Sequence, residues 1–419
     1  MSKGHVDSFL LIVLMGTLGF GFFPTGVEAN ISVHGYVEPS YGVRYQDDGP
    51  IEDQNVLLET RALLESQWYG SRGESLDLRV LAQQSQNEDG DVDIREGSIF
   101  LPLGRSWELR LGRQVLSWAP AQFEFINDHF AKDFKSFFIG RDLEFFKAPN
   151  DVGKLSYFGD YLNADLVLAP QFDPDLTPSG EEIPLFNPGL GRLVGADSAP
   201  ARTEPDNTIE DGELHLRLHK QLGRWEAAIY GYRGFTGAPV GWLDGENFHP
   251  ELTSGGFSLR GPLWGSIVWL ETAYDDIRHT LSGDTVGVPP DRGQLMLGVR
   301  YRSSPTARYM VQGTWSRQLN GSRFRQLLPP DDPNTSRDRY RLQAATTRTY
   351  WEDRLEVVVR GFLGTTEEDW HLRLTAEYEW SDAININIGS LLYGAEQPQS
   401  RFGALKDHDL FFTRLRYSF

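Results

Sequence analysis

The sequence predicts an all-β fold, a transmembrane antiparallel β-barrel of about 18 strands (16–18) with one long loop folded inward. Three observations predict it. Past residue 30, apolar and polar residues alternate with period two over successive segments of about ten residues. Tight turns and long loops alternate between those segments. Aromatic residues are abundant, 11 Trp, 16 Tyr and 25 Phe, more than the core of an ordinary acidic soluble protein needs, and many sit near segment ends.

The first stretch stands apart from the barrel. Phe9 to Phe23, FLLIVLMGTLGFGFF, is the one long apolar run; it follows Lys3 and His5 and leads into the small-residue pattern Val27-Glu28-Ala29. That is the composition of a secretory signal peptide over residues 1–29, with the barrel over 30–419. As an uncleaved anchor, the run falls short of the ~20 residues a spanning helix uses. There is no cysteine, which removes disulfide scaffolds and thiolate metal or redox sites. No cofactor and no metal centre is expected. The net charge of −19 argues against nucleic acid as a partner. A mean hydropathy of −0.40 argues against a helical membrane protein.

The alternation then sets the elements in order. In NVLLETRALLESQW, Val56, Leu58, Thr60, Ala62, Leu64 and Trp68 share one face, and Glu59, Arg61, Glu65 and Gln67 the other. In WHLRLTAEYEW, Leu372, Leu374, Ala376, Tyr378 and Trp380 oppose His371, Arg373, Thr375, Glu377 and Glu379. The predicted strands are 31–45, 54–69, 74–85, 91–101, 106–118, 153–159, 162–169, 211–221 and 224–235. They continue as 251–261, 264–278, 292–302, 306–319, 338–350, 353–364, 369–380, 383–396 and 409–419. Tight turns such as 70–73, 102–105, 160–161, 222–223 and 381–382 alternate with loops such as 119–152, 170–210, 236–250, 279–291, 320–337 and 397–408. An even count puts both termini on the short-turn side.

Physics explains why this pattern suits lipid. A segment in hydrocarbon must satisfy every backbone N–H and C=O, and strands do so only in a closed sheet. One face then meets lipid and the other water, so alternation replaces a packed core. Trp68, Tyr69, Trp107, Trp118, Trp225, Trp264, Tyr350, Trp351 and Trp380 suit the aromatic girdles at the two interfaces. A periplasmic β-sandwich, solenoid or propeller is the competing architecture; no fixed-length repeat supports the last two.

The most distinctive block is REGSIFLPLGRSWELRLGRQVLSWAPAQ, Arg95 to Gln122. Its strand R-L-G-R-Q-x-x-x-W ahead of a long loop resembles a broad porin-like family of Gram-negative outer-membrane barrels, including substrate-channel and alginate-export-type members. The closing strand DLFFTRLRYSF, with Leu415, Tyr417 and Phe419 in steps of two, resembles the C-terminal signal of the same barrels. That resemblance implies an outer-membrane location, recognition by the barrel-assembly machinery, and outer-membrane lipids and lipopolysaccharide as surroundings.

Candidate pore-lining and constriction residues are Arg79, Arg95, Glu96, Glu108, Arg110, Arg113, Asp128, Lys132, Asp133, Arg141 and Asp142. Glu108, Arg110, Gly112 and Gln114 share a face, and Arg113 breaks the apolar side. Either a bulge turns Arg113 inward, or the strand there lies above the hydrocarbon. The loop 119–152 carries Phe123, Phe125, Phe130, Phe134, Phe137, Phe138, Phe145 and Phe146, which would be costly in water. Folding into the lumen hides them and puts the loop's charges at the narrowest point; packing against the barrel rim or a neighbouring subunit is the alternative. The loop 170–210, Pro-rich and acidic, is expected as a solvated lid, with calcium bridging to lipopolysaccharide as an alternative. The inward charges are mixed in sign, which favours a watery lumen. His215 and His219 share a strand face with no nucleophile motif nearby, so no catalytic residues are assigned and the chain is not expected to be an enzyme.

The function expected is a porin-like channel for diffusion or selective passage of small polar solutes. A barrel sheath for a periplasmic partner, in electron transfer or export, is the alternative, and an outer-membrane hydrolase a lesser one. Homo-oligomer against monomer stays open.

Overall fold

The computed structural model describes residues 30–419 except 47–48, 52, 87–89, 122, 207, 279–286 and 329–331; the expected signal peptide lies outside the described residues. An 18-stranded antiparallel sheet closes on itself. Its strands are β1 (Asn30–Arg44), β2 (Asn55–Tyr69), β3 (Ser75–Ser85), β4 (Asp91–Leu103), β5 (Trp107–Gln114) and β6 (Asn150–Phe158). They continue with β7 (Asn163–Ala169), β8 (Glu213–Leu222), β9 (Trp225–Phe235), β10 (Glu251–Leu263), β11 (Ser266–Arg278) and β12 (Arg292–Ser304). The last six are β13 (Ala307–Gln318), β14 (Asp338–Tyr350), β15 (Leu355–Gly364), β16 (Asp369–Ser381), β17 (Ile384–Ala395) and β18 (Leu410–Ser418).

Closure runs between β1 and β18, with Val37 opposite Tyr417 and Ser40 opposite Arg414. Beyond the last paired strand residue, Gly35 N–H donates to the Phe419 carbonyl at 3.0 Å and Phe419 N–H to the Gly35 carbonyl at 2.9 Å. A Cβ on Gly35 would sit 2.8 Å from the Phe419 ring, so the glycine makes room for the terminal aromatic. Every strand edge is thereby paired, which removes the open edges a bilayer would not tolerate.

The period-two pattern becomes two faces. Leu58, Leu76, Leu78, Ile99, Leu111, Leu216, Ile229, Leu297, Val311, Leu342, Leu363 and Ile388 are exposed on the outside, as a lipid-facing surface requires. The short-turn end carries an aromatic girdle in which Trp264 is 93% exposed, Trp351 68% and Trp380 61%. Trp264 and Gly265 both take positive φ, 48° and 74°, the geometry of a two-residue hairpin turn that follows strand twist.

Three expectations fail. The strand predicted over 106–118 ends at Gln114. There the Gln114 amide donates to the Gly112 and Val152 carbonyls at 3.1 and 3.2 Å, and the chain leaves the wall. Trp118, expected in a girdle, lies instead inside the barrel, edge-on to Phe130 at 5.0 Å between ring centres. The loop 170–210 is not a solvated lid throughout. Its segment near Leu176 bridges in parallel to Asp133, and Ile183 is buried in the main apolar cluster inside the barrel.

Candidate functional site

The chain between β5 and β6 folds into the lumen, as its phenylalanines require. It forms one short helix, α1 (Phe134–Phe138), and a 3₁₀ turn, Leu143–Phe146. Asp133 starts the helix, accepting from Ser136 N–H at 2.7 Å and its hydroxyl at 2.5 Å, which satisfies a donor the helix leaves open. Asp142 caps the 3₁₀ turn through Glu144 N–H at 3.0 Å. Phe137, Phe138 and Phe146 pack with Leu57, Phe362, Leu391, Leu410 and Phe412 of the wall in one buried cluster. Hiding the aromatics is what draws the loop inward.

Charges fix the loop on that cluster. Arg141 pairs with the buried Glu59 of β2 at 2.6 Å, and Arg61 reaches the same carboxylate at 3.0 Å. Burial disfavours the charged Arg141, but Glu59 and Asp133 outweigh it and hold its pKa up. Arg373, fully buried on β16, donates to the Phe137 carbonyl at 3.0 Å and the Arg141 carbonyl at 2.9 Å. Arg95 on β4 donates to the Glu144 and Lys147 carbonyls, both at 2.7 Å. Phe145 lies between Arg61 and Arg95, 4.2 and 4.6 Å from its ring centre. Asp142 faces Arg414 at 3.4 Å and Arg416 at 3.3 Å. Burial would raise its pKa, yet the two arginines keep it lowered.

The sequence-predicted residues therefore divide. Arg79, Arg95, Arg141 and Asp142 meet where the loop touches β1–β4 and β18; Arg79 bridges Glu65 at 2.6 Å and Glu144 at 3.4 Å. Asp133 holds the helix start. Asp128 and Lys132 form a buried pair at 3.0 Å at the other end of the loop, and Asp128 also accepts from the Ser117 hydroxyl at 2.8 Å. Glu96 accepts from Val115 N–H at 3.4 Å; a register shift between β3 and β4 falls beside Arg95. Glu108 and Arg110 lie lower, toward the short turns, where Arg110 pairs with Asp77 at 3.1 Å. Arg113 does not line the lumen. It shares the outward face with Leu109 and Leu111 and pairs at the loop-side rim with Asp151 at 2.8 Å, which is the answer to its broken alternation.

Residues the prediction missed lie on the far side of the loop. Ala121 N–H and the Asn127 amide donate to Glu271 of β11 at 2.9 and 3.0 Å. His129 stacks on Tyr232 at 4.5 Å and Phe130 on His215 at 4.3 Å, so His215 is buried by the loop rather than solvated. The inward parity of His215 and Glu271 was visible in the sequence; the loop's path across the lumen was not. On the outer side of the loop lies a cavity of about 500 Å³. Phe123, Phe125, Phe130 and Phe134 line it together with Arg292, Arg339, Arg341 and Arg401. Those arginines are largely paired, Arg341 with Glu367 at 2.5 Å and Arg292 with Asp275 at 2.7 Å, while Arg401 meets Glu124.

No family model matches the chain, and no curated protein does. Solved structures do match, over nearly the whole length. Acinetobacter baumannii OccAB4 superposes with a TM-score of 0.56 at 10% identity, covering 94% of this chain and 99% of that one. Pseudomonas aeruginosa OccD3 (OpdP) gives 0.55 at 13%, covering 94% and 92%. Pseudomonas aeruginosa OpdK, in a structure with vanillate, gives 0.54 at 10%, covering 93% and 98%. The chain thus shares the closed 18-stranded barrel fold of these solved proteins, with an apolar side-chain surface exposed on its exterior.

Proposed function

We propose that this protein is a substrate-type channel passing small polar organic solutes across the outer membrane beside its inward loop. The cavity above the loop carries this reading: its volume suits a small ligand, and aromatic side chains and guanidinium groups both line it. Because those guanidinium groups are mostly paired with carboxylates, the expected preference is for shape and hydrogen bonding more than for net charge. The shared fold with OpdK, solved with vanillate, makes vanillate the first probe. A sheath around a periplasmic partner needs an empty lumen, and here the loop occupies it.

Liposome swelling tests the reading. Reconstituted protein should admit vanillate and small amino acids faster than disaccharides, and Arg341→Ala should change the uptake of vanillate more than that of glycine. Equal entry of all solutes would mean an unselective pore. No entry of any solute would reject the channel and favour a plugged structural barrel.

A further inference from the structure

The loop does not close the lumen evenly. Against β15–β18, β1 and β2 an apolar cluster is fastened by ion pairs, Arg141 with Glu59 and Asp142 with Arg414, and the Arg373 and Arg95 guanidinium groups are engaged by loop carbonyls. Against β8–β11 the same loop buries Ile126 with Ala273 and Phe130 with Ala228 and Tyr230, and sets polar groups among them. The Asn127 Oδ1, His129 Nε2 and His215 Nε2 atoms are buried with no hydrogen-bond partner among the described residues. All three residues border one narrow cleft with Tyr230, Tyr232 and Ser254. His129 also lines the outer cavity, so the cleft begins where the cavity ends. One step inward on β9, the Tyr230 hydroxyl lies 2.9 Å from Ser258 Oγ; beyond it Arg217 and Glu226 pair at 2.8 Å on the way to the short-turn mouth.

Atoms of that kind also lie on the opposite side, at Arg373 and His371, but none of them borders this cleft, and each one in the cleft costs ~1–3 kcal/mol. A solute or water entering the cleft would supply what those atoms lack. The fit there is also set by one missing side chain. Gly256 on β10 receives Asn127 so closely that a Cβ would fall 1.7 Å from its Oδ1.

We propose that the seam between residues 126–130 and strands β8–β11 is the gate of the channel. Asn127, His129 and His215 line it, and Gly256 is the notch that holds it shut. The solutes it selects offer hydrogen-bonding groups along one edge, a donor for the Asn127 carbonyl oxygen and a donor or acceptor for the two imidazoles. This inference rests on the channel reading.

The cysteine-free chain allows a direct test in planar bilayers, on full-length variants first checked for folding by their unboiled gel mobility. A water-soluble methanethiosulfonate reagent should cut the current through Ser254→Cys at least about twofold and leave Leu391→Cys, whose position lies in the apolar cluster, unchanged. Gly256→Ala should raise the current by expelling Asn127. Current that ignores the reagent at Ser254→Cys, responds at Leu391→Cys, or fails to rise in Gly256→Ala overturns the gate while leaving the channel. Silence of the wild type and Gly256→Ala alike overturns both.

Discussion

Single residues fasten the loop, and their chemistry gives separable outcomes. Arg373 has no carboxylate in ion-pair contact among the described residues and holds two loop carbonyls instead. Arg373→Leu should release both at a cost of ~1–3 kcal/mol, with the barrel intact and the current noisier as the loop loosens. A quiet, unchanged current would show that the loop is held elsewhere. Asp175, on the second loop, accepts from Lys132 N–H at 2.8 Å, and burial, opposed by Lys132, pushes its carboxyl up to about 6. Because the folded value is raised above 3.8, docking of the two loops is favoured by the protonated acid. That contribution is full below the unfolded pKa and is lost as pH rises through about 6. Its size stays under ~3 kcal/mol, since the group also borders the cavity. Hydrogen exchange over residues 130–135 should gain protection from pH 6 to pH 4 in the wild type and not in Asp175→Asn; equal profiles would contradict the assignment.

Elements were legible where a period carried them. Leu374 pairs with Ser390, and Thr375 with Gly389, on the outward and inward faces the alternation assigns. Arginine at Leu374 should therefore cost ~2–4 kcal/mol near the bilayer centre, and arginine at Thr375 little. Urea titration of folding into vesicles measures both; equal costs would mean the register is wrong. All strands of the barrel were visible this way, within a few residues at their ends. The end of β5 was not, because Gln114 caps it through the Gly112 and Val152 carbonyls, a tertiary contact that no local pattern announces. The loop's inward fold could be argued from eight phenylalanines that an outward loop would leave in water. Its landing points could not, since Glu59, Arg373, Glu271 and His215 come from strands distant in sequence, and alternation says only that they face inward. Arg113 was the useful exception: its misfit in the pattern marked the rim, where Asp151 meets it.

At the scale of the whole molecule, closure and occupancy decide what the barrel does. The hydrogen bonds between Gly35 and Phe419 join the first and last strands, so deleting Phe419 should lower assembly into the membrane, and an unchanged yield would make that contact incidental. The folded barrel should also migrate faster unboiled than boiled, and its recovery in a soluble periplasmic fraction without detergent would refute a membrane barrel. The central claim is that the loop between β5 and β6 sets passage through an otherwise water-filled lumen. Single-channel conductance of the wild type, beside a variant shortened between Phe123 and Phe146, tests it most directly. The account predicts small, resolvable openings in the wild type and a clear rise in conductance on shortening, because the apolar cluster and the polar seam both lose their loop half. Folded protein that carries no current before or after shortening would contradict it.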